Sequence, residues 1–204
     1  MAQRVERRSQ EERSEATRAQ VLDAAITCLV DYGYSSSPTT RIAEQAGVSR
    51  GGQLHHFPTK AILFSEAIGH LARERLAQLE RDAAAQPHNT DRTRAALELL
   101  WGTFSGPLFQ AALELWVAAR TDEELRRALA PMEREIGRRI LEVAREIFSP
   151  EHVARSDFET LLLVSFNCMR GIAAVQCYEA DAVRRERHWR GTREVLAALF
   201  ERTG

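Results

Sequence analysis

The placement of proline constrains this chain more than any other feature. Of its six prolines, Pro38, Pro58, Pro87, Pro107 and Pro150 stand between segments whose apolar residues recur at helical period, and only Pro131 stands inside one. Proline has no N–H and clashes with the preceding turn, so it sits at helix boundaries and rarely within them. No sustained polar–apolar alternation and no Asn-Gly or Asp-Gly hairpin signal occurs between them. The chain is expected to be all-α.

Residues 1–14 are polar, of mixed charge and without periodicity, which predicts a flexible N-terminal arm. From Thr17 the residues Val21, Leu22, Ala25, Ile26, Leu29 and Val30 form one broad face of an amphipathic helix. Gly33 stands where a left-handed cap would close it, and Ser37-Pro38 reads as an N-cap followed by proline at the first helical position. A short helix to about Gln45, a tight turn at Ala46-Gly47-Val48 and a second short helix from Ser49 to about His56 come next. Pro58-Thr59 recaps the chain for a long helix to about Ala85, and later helices are expected near 90–104, 107–120, 122–148, 156–180 and 184–202. The domain boundaries read from this pattern are 15–75 for an N-terminal three-helix unit and 76–204 for a larger helical unit, joined by the long helix.

Two short helices joined by a glycine turn and braced by a third make a helix-turn-helix, here about residues 38–57. In that motif the first short helix supports the second, which enters the major groove of DNA. Ile42, Ala43, Ala46, Val48 and Phe57 are the small core expected for it. Thr39, Thr40, Arg41, Arg50, Gln53, His55, His56 and Lys60 are the candidate contacts. Arginine and glutamine suit the edges of guanine and adenine, while threonine, histidine and lysine suit phosphates. Net charge is −1 and names no partner, but the stretch 38–60 sets Arg41, Arg50 and Lys60 against Glu44.

Residues 17–68, from TRAQVLDAAITCLVDYGY through RIAEQAGVSRGGQLHHFPTKAILFSEA, resemble the DNA-binding domain of the tetracycline-repressor (TetR) family. The resemblance implies a helical repressor that binds palindromic operator DNA as a homodimer and is released by a small molecule held in its C-terminal domain. It also implies that Thr39, Thr40, Arg50, Gly51 and Leu54 face bases or the groove, and that Gly52, His56 and Lys60 meet phosphate. The family commonly carries threonine, leucine and tyrosine where Gly52, Gln53 and Leu54 stand here. Gln53 therefore reads either as a DNA contact or as part of a local hydrogen-bond network.

Other classes find less support. No Gly-x-Ser-x-Gly elbow, phosphate loop or His-Glu-x-x-His pattern is present, so no catalytic residue, cofactor or metal is expected. Cys168 and Cys177 lie nine apart on one expected helix, about 13 Å along its axis, and cannot bridge each other. The uncharged run 99–113 is shorter than the roughly 20 residues of a membrane span, and the N-terminus lacks the apolar core of a signal peptide, so a cytoplasmic protein is expected. A regulator controlled by a protein partner is the alternative, and a small all-helical enzyme a more distant one. Trp101, Phe104, Phe109, Trp116, Phe166 and Met169 are what an apolar effector pocket would be built from, with ordinary core packing the plainer use for each. Arg120 and Arg170 are candidate partners for a ligand carboxylate, with a surface or interface role equally open. The segment 156–180 is apolar around nearly its whole circumference and calls for a second subunit to cover its far side.

Overall fold

A computed structural model of the chain describes residues 2–86, 91–104 and 106–202. Pro87, expected as a helix break, lies outside the described residues, among which there are helices and no strand. The chain forms two compact units, Met1–Ala72 with Ala111–Glu133, and Arg73–Gln110 with Arg134–Gly204. The first unit ends close to the expected boundary but also takes in 111–133, which the sequence groups with the second.

In the first unit, α1 (Ala2–Tyr32) continues back through the residues expected as an arm. Those residues are rich in arginine and glutamate, which are good helix formers. Further on, α1 buries Val21, Leu22, Ala25, Cys28 and Leu29 completely or nearly so. Gly33 closes it with φ +74°, and its N–H donates to the Leu29 carbonyl at 3.0 Å. Ser37 does not cap the next helix. Its buried hydroxyl turns back to the carbonyls of Cys28 at 2.9 Å and Gly33 at 2.7 Å, supplying α1 with a donor at its end.

α2 (Thr39–Ala46) buries Ile42 and Ala43 and ends at Gly47, whose φ of +67° lets the Val48 N–H reach back to the Ala43 carbonyl at 3.0 Å. α3 (Arg50–His56) starts at Ser49, whose hydroxyl accepts from the Gly52 N–H at 3.1 Å. α4 (Lys60–Ala84) is capped by the Thr59 hydroxyl, which accepts from Ile62 N–H at 3.2 Å. Phe57 is fully buried between α3 and α4 in the sequence, as expected of the motif's core.

α4, α6 (Gly106–Ala118) and α7 (Glu123–Ile147) each contribute residues to both units. Pro131 lies within α7 without ending it. The second unit adds α5 (Arg92–Gly102), α8 (Pro150–Val153), α9 (Phe158–Gln176) and α10 (Ala182–Glu201). The four-residue α8 is not expected from the sequence; Ser149 caps it and Pro150 opens it. The largely aliphatic core of this unit encloses an aromatic cluster, with Phe148 centred 4.7 Å from Phe200 and 5.6 Å from Phe158.

α9 buries a single stripe, Phe158, Leu162, Ser165, Met169 and Ala173. Leu163 is 60% exposed, and Val164 and Val175 are also open to solvent. By length and composition α9 could also cross a membrane, but its buried stripe packs into the core of the second unit. The other faces carry these exposed apolar side chains among exposed Glu159, Thr160, Asn167 and Arg170, so the helix is less uniformly apolar than its sequence suggests.

Candidate nucleic-acid interface

Three local signals build the reading head: Gly47 turns the chain, Ser49 starts α3, and Phe57 anchors its C-terminal end. On α3 the residues divide by face. Arg50, Gly51, Leu54 and His55 are exposed, and their spacing places them on one side of the helix. Gly52 and His56 flank that face and are half-buried. A Cβ on Gly52 would come within 3.2 Å of the capping Ser49 hydroxyl, so the missing side chain leaves room for the cap. Gly51 has no atom within 4 Å of where a Cβ would stand.

On α2, Thr39 is half-buried, while Thr40 and Arg41 are exposed. The Arg41 guanidinium lies 4.6 Å from the Tyr32 ring centroid and donates to the Ser36 carbonyl at 2.6 Å. Lys60, expected on phosphate, is half-buried and donates to the Tyr34 carbonyl at 2.5 Å, with its ammonium 4.0 Å from the Tyr34 ring centroid. An ammonium has three donors, so this bond leaves others for a phosphate.

Sequence reasoning misses Tyr34 and Asp122. The Tyr34 hydroxyl donates to Asp122 Oδ2 at 2.9 Å, and Asp122 Oδ1 accepts from the Leu125 N–H at the start of α7, also at 2.9 Å. Burial, then the bond to Asp122, pushes the Tyr34 phenol well above its usual range. Desolvation lowers the Lys60 ammonium, and the Asp122 charge opposes that. The Leu125 N–H is the largest influence holding the Asp122 carboxyl below its usual value. No sequence signal links Tyr34 to Asp122, because they are far apart in the chain.

Gln53 corrects the sequence reading. It is not an exposed contact: its side chain is 0% exposed, and neither its amide nitrogen nor its amide oxygen has a hydrogen-bond partner. It therefore joins no local network either. The turn sets α3 so that position 53 points inward. Leaving such polar atoms unpaired costs about 1–3 kcal/mol.

The aromatic residues expected around an effector mostly pack on one another. Trp101 stacks on Trp189 with centroids 4.4 Å apart, and Phe104 lies 5.8 Å from Phe109 and 6.0 Å from Phe166. Met169 is fully buried. Trp116 belongs to the other unit, where its indole N–H donates to Glu133 at 2.7 Å. A cleft of about 480 Å³ does open in the second unit. Arg75, Leu79, Arg94, Glu98, Leu99 and Arg193 are among its lining, and none of the residues expected around an effector is. Flat rings fill space when they meet, whereas long charged side chains leave it because their heads stay hydrated. Arg120 and Arg170 are exposed rather than buried charges. Among the described residues no group of three or more His, Cys, Asp or Glu side chains is placed to hold a metal.

The arrangement is that of known regulators. Residues 21–67 match the profile described as "Bacterial regulatory proteins, tetR family". The helix-turn-helix-type transcriptional regulator CymR of Pseudomonas putida is 30% identical over 204 residues, covering 95% of this chain and 96% of its own length. The chain belongs to the TetR family. It is a helix-turn-helix transcriptional regulator, with an N-terminal DNA-binding motif and a larger helical remainder. A transcriptional repressor of Mycobacterium tuberculosis is 34% identical over 123 residues, 55% of this chain and 66% of that protein. Among solved structures, the multidrug binding protein EbrR complexed with ethidium superposes with a TM-score of 0.59 at 22% identity, covering 90% of this chain and 97% of its own.

Proposed function

We propose that this regulator is a ligand-responsive repressor. In this reading it binds a palindromic operator in the cytoplasm as a homodimer and releases it when a small molecule occupies the second unit. The observation that carries the reading is the outer face of α3. Arg50, Gly51, Leu54 and His55 stand exposed on it, and α3 contains no carboxylate to repel phosphate. A short helix of this kind offers one bidentate arginine, a close backbone approach at glycine and an apolar contact suited to a thymine methyl.

Two features support the dimer and the effector. On α9, Leu163, Val164 and Val175 face solvent, and on α10 Val195 is 63% exposed beside exposed Gly191 and Ala198. Two such pairs meeting about a twofold axis make a four-helix bundle, and the same axis matches a palindromic site. The cleft in the second unit falls within the roughly 300–1,000 Å³ range of small-molecule sites, with apolar Leu79 and Leu99 between charged side chains. EbrR is described as binding ethidium, and the Mycobacterium tuberculosis relative is called a repressor. An effector with an apolar body suits such a cleft. It must favour the released form over the DNA-bound form, since a ligand indifferent to the two shifts nothing.

The test is capture of genomic fragments on the purified protein, followed by footprinting and light scattering. A palindrome protected over two half-sites about one helical turn apart, by a dimer, is the expected result. Selection of no sequence over random fragments overturns the operator reading, and a monomer at micromolar concentration overturns the dimer. Screening small molecules for operator release then tests ligand control.

A further inference from the structure

α3 has one buried residue, Gln53, and that residue is polar. Its amide nitrogen and oxygen both lie out of reach of solvent without a hydrogen-bond partner. In an undocked α3 both atoms would bond to water, so docking the helix gives those bonds up and replaces them with nothing. The Ser49 cap and buried Phe57 hold the two ends of α3, but the residues between add little. Gly51 and Gly52 are the poorest helix formers short of proline, and His55 and His56 are weak ones. α2 differs in what it buries, since Ile42 and Ala43 are both apolar, and Gly47 closes it with backbone bonds to Ala43 and Glu44.

We infer that Gln53 makes the ordering of the recognition helix conditional on DNA. In the free protein α3 opens locally far more often than α2, and contacts of Arg50 and its neighbours with a duplex hold it closed from outside. Gln53 is thus a positioning residue: it need not touch DNA, and it sets the fraction of molecules whose α3 is ready to bind. Apparent affinity falls by that fraction. The inference rests on the reading of α3 as the DNA-contacting helix, and the experiment separates the two.

Hydrogen exchange by mass spectrometry on the full chain, free and with a mixed-sequence 30-base-pair duplex at low salt, reads local opening directly. Amides 52–57 of the free protein should exchange at least ten-fold faster than amides 43–48, and the duplex should slow the first group more than the second. Gln53→Met, the closest apolar match in shape, and Gln53→Leu should each slow exchange of 52–57 ten-fold or more in the free protein. Both should raise the thermal midpoint and tighten duplex binding measured by fluorescence anisotropy. Equal exchange of the two segments in the wild-type protein overturns the inference. So does unchanged or faster exchange of 52–57 in both variants, including variants that fold less stably. If the wild-type protein fails to bind the duplex, the DNA reading itself falls, whereas intact binding with equal exchange refutes the role of Gln53 alone.

Discussion

In the second unit a cluster of rings sits among aliphatic side chains. Phe148, Phe158 and Phe200 meet within 6.2 Å of one another, and Trp101 lies flat on Trp189. The first unit has fewer ring contacts, with Tyr34 centred 5.3 Å from Phe64 and Phe57 fully buried, and hydrogen bonds at helix ends set the geometry of its reading head. Ile42 and Ala43 on α2 pack with the α1 stripe, while Ser37, Gly47, Ser49 and Thr59 fix where each helix starts or stops. A large aromatic side chain buries some 150–250 Å², whereas a cap contributes about 1 kcal/mol. The ring cluster thus fills the centre of the second unit, while Gly47 and Ser49 set the angle at which α3 is presented.

Substitutions ought to separate the two regions. Phe148→Ala, which empties the centre of the aromatic cluster, should cost about 3–5 kcal/mol in urea unfolding. A loss below about 1 kcal/mol would mean that the ring cluster does not hold the second unit, and the contrast would collapse. Arg50→Ala should leave the unfolding midpoint unchanged while costing about 1–3 kcal/mol of operator binding and relaxing selectivity at one base pair per half-site. Lys60→Ala, in comparison, should weaken all duplexes alike and flatten the salt dependence. If Arg50→Ala retains full discrimination in titrations against scrambled duplexes, Arg50 does not read a base.

Smaller effects sharpen the picture within the head. Gly47→Ala forces a side chain onto φ +67° and should destabilise by about 1 kcal/mol. Gly51→Ala meets open space in ordinary helical backbone and should stabilise by about 0.5–1 kcal/mol, seen as opposite shifts in thermal midpoint. The smallest expected effect depends on pH. Asp122 is held below its usual value by the Leu125 N–H and the Tyr34 hydroxyl, so its contribution is present above about pH 4 and is lost as pH falls through its lowered value. Asp122→Asn should remove that part of the acid-side loss, measured as the difference in urea midpoint between pH 6 and pH 3. An unchanged difference would place the acid sensitivity elsewhere.

The same division governs which features are legible in the sequence. Gly33, Gly47 and Ser49 act on residues three or four positions away, so the motif and most helix ends can be read directly. Ser37 is misleading because a hydroxyl before a proline looks like a cap from either side, and only the path of α1 settles which end it serves. Gln53 misleads for a related reason. A glutamine on a recognition helix has the chemistry of a base contact, and the face it occupies depends on how the turn rotates α3. The aromatic residues are legible as large and apolar, but whether rings line a space or fill it is decided by their partners. Trp189, which Trp101 stacks on, lies in another helix far along the chain.

The sequence by itself determined the helical class, the punctuation of the helices and the reading-head motif. Those are local properties, set by proline and glycine backbone preferences, capping hydroxyls and the 3.6-residue period. Tertiary structure alone decided that Lys60 rests on Tyr34, that Tyr34 is tied to Asp122, that Gln53 is buried without a partner, and that the cleft is lined by charged residues rather than rings. Each depends on groups brought together from separate parts of the chain, and such meetings arise from packing rather than from any pattern along the chain.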